Sequence, residues 1–139
     1  MDDFRQAAGL DQLTGDDTIT LARTAAEAIR GLNHATRHED GLGQPSAAYD
    51  VLGALTLAAS RLGQALAQIA GWLDRALAAG LLGHDLGEDP AHAVSAAGLY
   101  LDDARLSAAA LAGDLDAAWQ QLALINGQPS LYRKDNEQP

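Results

Sequence analysis

Residues 47–82 read AAYDVLGALTLAASRLGQALAQIAGWLDRALAAGLL, and residues 91–125 read AHAVSAAGLYLDDARLSAAALAGDLDAAWQQLALI. In the first stretch Ala48, Leu52, Leu55, Ala59, Leu62, Leu66, Ile69, Leu73 and Ala76 follow one another at alternating steps of four and three. In the second, Val94, Ala97, Leu101, Ala104, Ala108, Leu111, Leu115, Ala118, Leu122 and Ile125 do the same. An α-helix turns about 100° per residue, so this spacing holds one apolar stripe toward a neighbouring helix over many turns. Two long helices follow from it directly.

A third helix is expected upstream. From Thr18 to about Arg37 a seven-residue frame places Thr18, Ala22, Ala25, Ile29, Leu32 and Thr36 on one face. Arg23, Arg30 and Arg37 recur on the opposite side, with Glu27 spaced to pair with Arg23 and Arg30. Thr14-Gly15-Asp16-Asp17 reads as a break and an N-cap with acidic groups at the positive end of the helix dipole. The loop residues His38 to Pro45 separate this helix from the next, for which Ser46 is the expected cap. Gly53, Gly63 and Gly71 fall inside that next helix, and a kink near Gly63 would divide it in two. Gly80 and Gly83 terminate it. Asp89-Pro90 starts the last helix, since Asp caps free amides and Pro suits the first turn, and Asn126-Gly127 stops it.

Short connections between long helices force antiparallel neighbours. The expected fold is therefore all-α: an antiparallel up-down bundle of three long helices plus a short N-terminal helix or arm, with four helices if the chain breaks at Gly63. The expected organisation is an arm over residues 1–16, a bundle domain over 17–126 and a polar tail over 127–139.

Composition narrows the function classes. The 139 residues carry a formal charge of -10, with nine Lys plus Arg against 19 Asp plus Glu. That balance disfavours nucleic acid, whose binders need a basic face, and equally disfavours an anionic membrane surface. It suits solubility, or an antitoxin- or inhibitor-like role against a basic partner. Without cysteine, disulfides and thiolate metal sites are excluded. No run approaches the roughly 18 apolar residues of a membrane span, and the opening Met-Asp-Asp-Phe-Arg lacks the features of a signal peptide. A cytoplasmic location is expected. The preference for Arg, Ala and Gly matches a GC-rich bacterial genome.

Motifs for chemistry are sparse. His34 and His38 stand four apart and are followed by Glu39 and Asp40, the one grouping with metal-ligand spacing. A second polar cluster, His84, Asp85, Glu88 and His92, falls at the other end of a long helix. The di-iron signature Glu-x-x-His is absent, as are phosphate-loop, dinucleotide and nucleophile-elbow patterns. No cofactor is implied, and a non-enzymatic reading is preferred.

Apolar residues off the main stripes are more informative. Leu57, Leu99 and Leu106 point away from the expected seam, and Leu99 and Leu106 lie two turns apart on one line. Trp72 and Trp119 flank the seam, where aromatics fill core corners or anchor a partner. These five residues are the candidate contacts of a helical-bundle interaction protein that self-associates or docks a protein partner. The alternative is a metal- or small-ligand-binding bundle using His34, His38, Glu39 and Asp40.

The segments Leu32-Asn33-His34-Ala35-Thr36, Pro45-Ser46-Ala47-Ala48-Tyr49-Asp50-Val51-Leu52-Gly53 and Arg61-Leu62-Gly63-Gln64-Ala65-Leu66 resemble a pattern shared by small, uncharacterised, Ala-rich helical proteins of actinobacteria. The resemblance covers about residues 32–73. It implies lineage and a helical fold, and no activity comes with it. A proline is frequent in that pattern where Gly63 stands, which implies a break in the third helix.

Overall fold

Thr14 opens the first helix with a reciprocal cap. Its hydroxyl accepts from the Asp17 amide at 3.4 Å, while the Asp17 carboxylate accepts from the Thr14 amide at 2.9 Å and its hydroxyl at 3.0 Å. Two orphan amides of the first turn are thereby satisfied. These backbone and hydroxyl bonds to Thr14 stabilise the ionised carboxylate and hold the Asp17 pKa below its ordinary 3.8. In this computed structural model, which describes residues 13–128, the helix so begun is α1, Gly15–Ala35. Thr18, Thr20 and Thr24 each donate back to the carbonyl four residues earlier, so these β-branched side chains sit in the helix with their hydroxyls satisfied. Glu27 pairs with Arg30 at 2.8 Å, one of its two expected partners. No residue of α1 is buried. After Ala35 the chain turns through a short 3-10 segment, Glu39–Gly41. Gly41 is required there, because a Cβ would overlap the Ala35 carbonyl.

The second unit, from Gln44 onward, is a helical hairpin. Its first helix, α2, spans Pro45–Ala78 without interruption. The expected break at Gly63 does not occur, since a straight helix accommodates glycine at a cost of only about 1 kcal/mol. Ser46 is not the cap. Gln44 takes that place without a side-chain bond, and Pro45 occupies the first helical position, where its fixed φ is already helical. At the far end Gly80, at φ +72, donates to Leu77 O, and Leu81 donates to Ala76 O. That pair of bonds is a Schellman stop, and its left-handed residue favours glycine.

The connection to the last helix is held by His84. Its Nδ1 accepts from the Leu86 amide at 3.1 Å, and its carbonyl accepts from Gly87, itself at φ +75. Asp89 then caps α3, Pro90–Leu122, through a 2.9 Å bond from the Ala91 amide. The helix stops three residues short of the expected Ile125. Amides of Leu124 and Ile125 reach back only three residues, to Gln121 and Leu122, which closes the helix in a tighter turn.

α2 and α3 pack against each other along their length. The start of one meets the end of the other, since Tyr49 stacks on Trp119, so the pair is antiparallel. The buried residues of this seam are Ala59, Ala76, Val94 and Ala108. Leu52, Leu55, Leu66, Leu73, Leu101 and Leu115 remain half-buried beside them. The fold observed is thus all-helical, with three helices of which two are packed together. The expected N-terminal arm lies mostly, and the polar tail almost entirely, outside the described residues.

Candidate interaction surface

Two helices have two sides, and the seam separates them. On α2 the inward residues run Ala59, Gly63, Leu66, Ala70 and Leu73. Ser60 and Leu62 are two apart, about 200° around the helix, so they fall to opposite sides of that line. On α3 the inward line runs Val94, Leu101, Ala108 and Leu115, and Ala109 and Leu111 divide in the same way.

One side is an open groove lined by Ser60, Gly63, Gln64 and Ala67 from α2 and by Asp102, Arg105, Leu106 and Ala109 from α3. Arg105 and Asp102 pair across one turn of its wall at 3.2 Å, as their spacing predicts. Both are substantially exposed, so the pair adds little stability. Leu57, Leu99 and Leu106 all belong to this side and are exposed, Leu106 by 71%. They are separated by small and charged residues and do not form a continuous apolar surface.

The other side differs in kind. Leu55, Leu62, Ile69 and Ala76 form one row on α2 that runs into the seam at the buried Ala76, and Ala58, Ala65 and Trp72 form the row beyond it. Ala97, Ala104, Leu111 and Ala118 form the matching row on α3. None of these eleven positions is ionisable or polar apart from the Trp72 indole nitrogen. Leu62, Ile69 and Leu111 are about half exposed, at 49%, 50% and 49%, and Trp72 is 56% exposed. The three-four spacing of Leu62, Ile69 and Leu111 is that of a seam and predicts a core position for each. The missed signal was the width of the stripe, since one partner helix covers a narrower arc than these rows occupy.

The two tryptophans part company. Trp119 is half-buried, stacked on Tyr49 with ring centroids 4.9 Å apart and planes at 21°, and its Nε1 lies 3.0 Å from where a Cβ on Gly53 would sit. Its indole fastens the open end of the hairpin. Trp72 is not spent in this way and stands with the exposed apolar rows.

The histidine grouping is only partly assembled. The His34 and His38 rings meet edge to face at 5.9 Å, while Glu39 and Asp40 lie in the following 3-10 turn. Among the described residues no three His, Cys, Asp or Glu side chains come together as a metal-binding group. His84 and Glu88 approach to 4.0 Å in the α2–α3 connection. Among the described residues no helix is long and apolar enough to cross a membrane. Compared with family models, curated proteins and solved structures, the chain matches none.

Proposed function

We propose that this chain is a helical interaction module whose α2–α3 hairpin docks protein through the apolar side bearing Leu62, Ile69, Trp72 and Leu111. The observation that carries the reading is the contrast between a thin core and a broad uncharged surface. The buried residues are small, three alanines and a valine, whereas four large apolar side chains remain about half in water on one side. Covering half of a large apolar side chain yields about 1 kcal/mol, and these four supply several together. Contiguous apolar surface of this kind marks an interaction site, and isolated leucines such as Leu57 and Leu99 do not. The function is one of binding. In this reading Trp72 is a contact residue, Trp119 is an internal fastener, and Leu57, Leu99 and Leu106 stand on the groove side, outside the docking surface.

Site-specific photo-crosslinking in cells tests this without assuming the occupant. A crosslinking side chain at Ala65, between the apolar rows, is expected to yield discrete protein adducts, and one at Ala109 in the groove is not. Equal adducts from both positions, or none from Ala65, would overturn the reading.

A further inference from the structure

We infer that the occupant of the apolar side is a second copy of this chain, with α2 of one protomer lying over α3 of its partner in a two-fold four-helix assembly. This rests on the interaction reading above and adds what docks and in which orientation.

Size is the first argument. Helices of 34 and 33 residues are each roughly 50 Å long, and a packed pair is roughly 20 Å wide. If most of one side of such a pair is covered, the two copies together lose on the order of 1,500 Å² or more, above the roughly 1,000 Å² that a specific interface requires. A second hairpin has the same length and breadth, and so fits the surface from end to end.

Charge is the second. A chain of net charge -10 repels its own copy at long range, so self-association needs a contact surface free of like charges. The rows 55-62-69-76, 58-65-72 and 97-104-111-118 hold no ionisable side chain. The flanking outer edges do. Arg61 and Arg75 lie on the outer edge of α2 and Asp103 on that of α3, while Asp114, in line with Tyr100 and Ser107, borders the contact rows on α3. All four are exposed, and none takes part in an ion pair among the described residues.

Symmetry then selects the arrangement. Two hairpins can meet face to face about a two-fold axis parallel to the helices or about one perpendicular to them. The perpendicular axis stacks α2 on α2, which brings the arginine edges together and the aspartate edges together. The parallel axis stacks α2 on the partner's α3, which sets each arginine edge beside an aspartate edge. Either axis makes every helix antiparallel to both neighbours, the usual geometry of an up-down four-helix bundle, so it is the edge charges that select the parallel axis. Alanines at 58, 65, 97 and 104 let the helices approach closely, and Leu62, Ile69 and Leu111 fill the interior.

Sedimentation of the purified full chain over a hundredfold concentration range tests this. A monomer–dimer equilibrium is expected, with Ile69→Glu weakening dimerisation by roughly a hundredfold or more, because the charge would be desolvated at the interface in both copies. Leu106→Glu, on the groove side, leaves the dimer intact. Circular dichroism establishes that each variant is helical. Should Ile69→Glu fail to fold, the edge charges decide: Arg61→Asp and Asp103→Arg each weaken the dimer, roughly tenfold, and the double exchange restores it. A monomer at every concentration overturns the second copy while leaving the crosslinking result from Ala65 to stand or fall separately. A dimer disrupted by Leu106→Glu and not by Ile69→Glu places the interface on the wrong side and also overturns it. A dimer that the double exchange fails to restore overturns the orientation.

Discussion

Replacing Gly53 and Gly63 separately by alanine gives two chemically identical changes in one helix with opposite expected outcomes. Alanine in a helix interior is favoured over glycine by about 0.8–1 kcal/mol. At Gly63 a new Cβ meets no heavy atom within 4 Å, so the full gain is expected. At Gly53 it would lie 3.0 Å from Trp119 Nε1, 3.5 Å from Cε2 and 3.6 Å from Cδ1. The first distance is about 0.5 Å inside ordinary contact, so the indole must move. Turning it off its rotamer costs about 0.5–1.5 kcal/mol, and loosening the stack on Tyr49 forfeits up to a similar amount. Those losses, about 0.5–3 kcal/mol together, offset most of the propensity gain or exceed it, which leaves Gly53→Ala close to neutral or destabilising by as much as about 2 kcal/mol. The two variants should therefore differ by about 0.5–3 kcal/mol in urea denaturation followed by far-ultraviolet circular dichroism. Protein concentration must be held fixed, because any association contributes to apparent stability. Near-ultraviolet dichroism should change only in Gly53→Ala, where the indole is displaced. Equal stabilisation by both substitutions would refute the packing assigned to Trp119.

Further expectations concern caps and loops. The Asp17 pKa is depressed in the folded chain, so its carboxylate supports the α1 cap above the ordinary value of 3.8 and that support is lost as pH falls through the lowered value. Carbon chemical shifts of Gly15 to Thr18 should report fraying in acid, and Asp17→Asn should remove that titration; an unchanged titration in the variant would contradict the cap. Asp89→Ala should cost about 1 kcal/mol and Asp89→Ser only a few tenths, measured by denaturation, since serine still caps the Ala91 amide. His84→Phe removes the acceptor of the Leu86 amide and should accelerate hydrogen exchange at Leu86 and Gly87 with little effect on the helices. Stoichiometric zinc should leave thermal stability unchanged, and a shift abolished by His34→Ala would instead support the metal reading of His34, His38, Glu39 and Asp40.

The helices were legible because their signals are local. The three-four spacing marks α2 and α3, Asp89-Pro90 marks the start of α3, and Gly80 marks the end of α2, each through chemistry confined to a few residues. The cap at Gln44 was not legible, because Pro45 can open a helix without a capping side chain and Ser46 looked the stronger signal. Continuity through Gly63 was equally hidden, since glycine permits a kink without requiring one. The exposure of the apolar rows was hidden for a different reason. Periodicity identifies which residues share a face of one helix and is silent on how much of that face a neighbour covers. Leu62, Ile69 and Leu111 satisfy the seam spacing yet remain half exposed, while the conspicuous outliers Leu57, Leu99 and Leu106 stand among charged and small residues. Trp119 found its place only once Tyr49 and Gly53, some seventy positions upstream, were brought beside it.

Trp72 gives the most direct test of whether the apolar side is covered by a second copy. In a Trp119→Phe background Trp72 is the sole indole, and collisional quenching by acrylamide measures its access to solvent. Quenching is expected to fall, and emission to shift to the blue, as concentration rises through the dimerisation range, with Ile69→Glu abolishing both changes. Quenching that stays at the same high level from the lowest to the highest concentration would contradict coverage by a second copy.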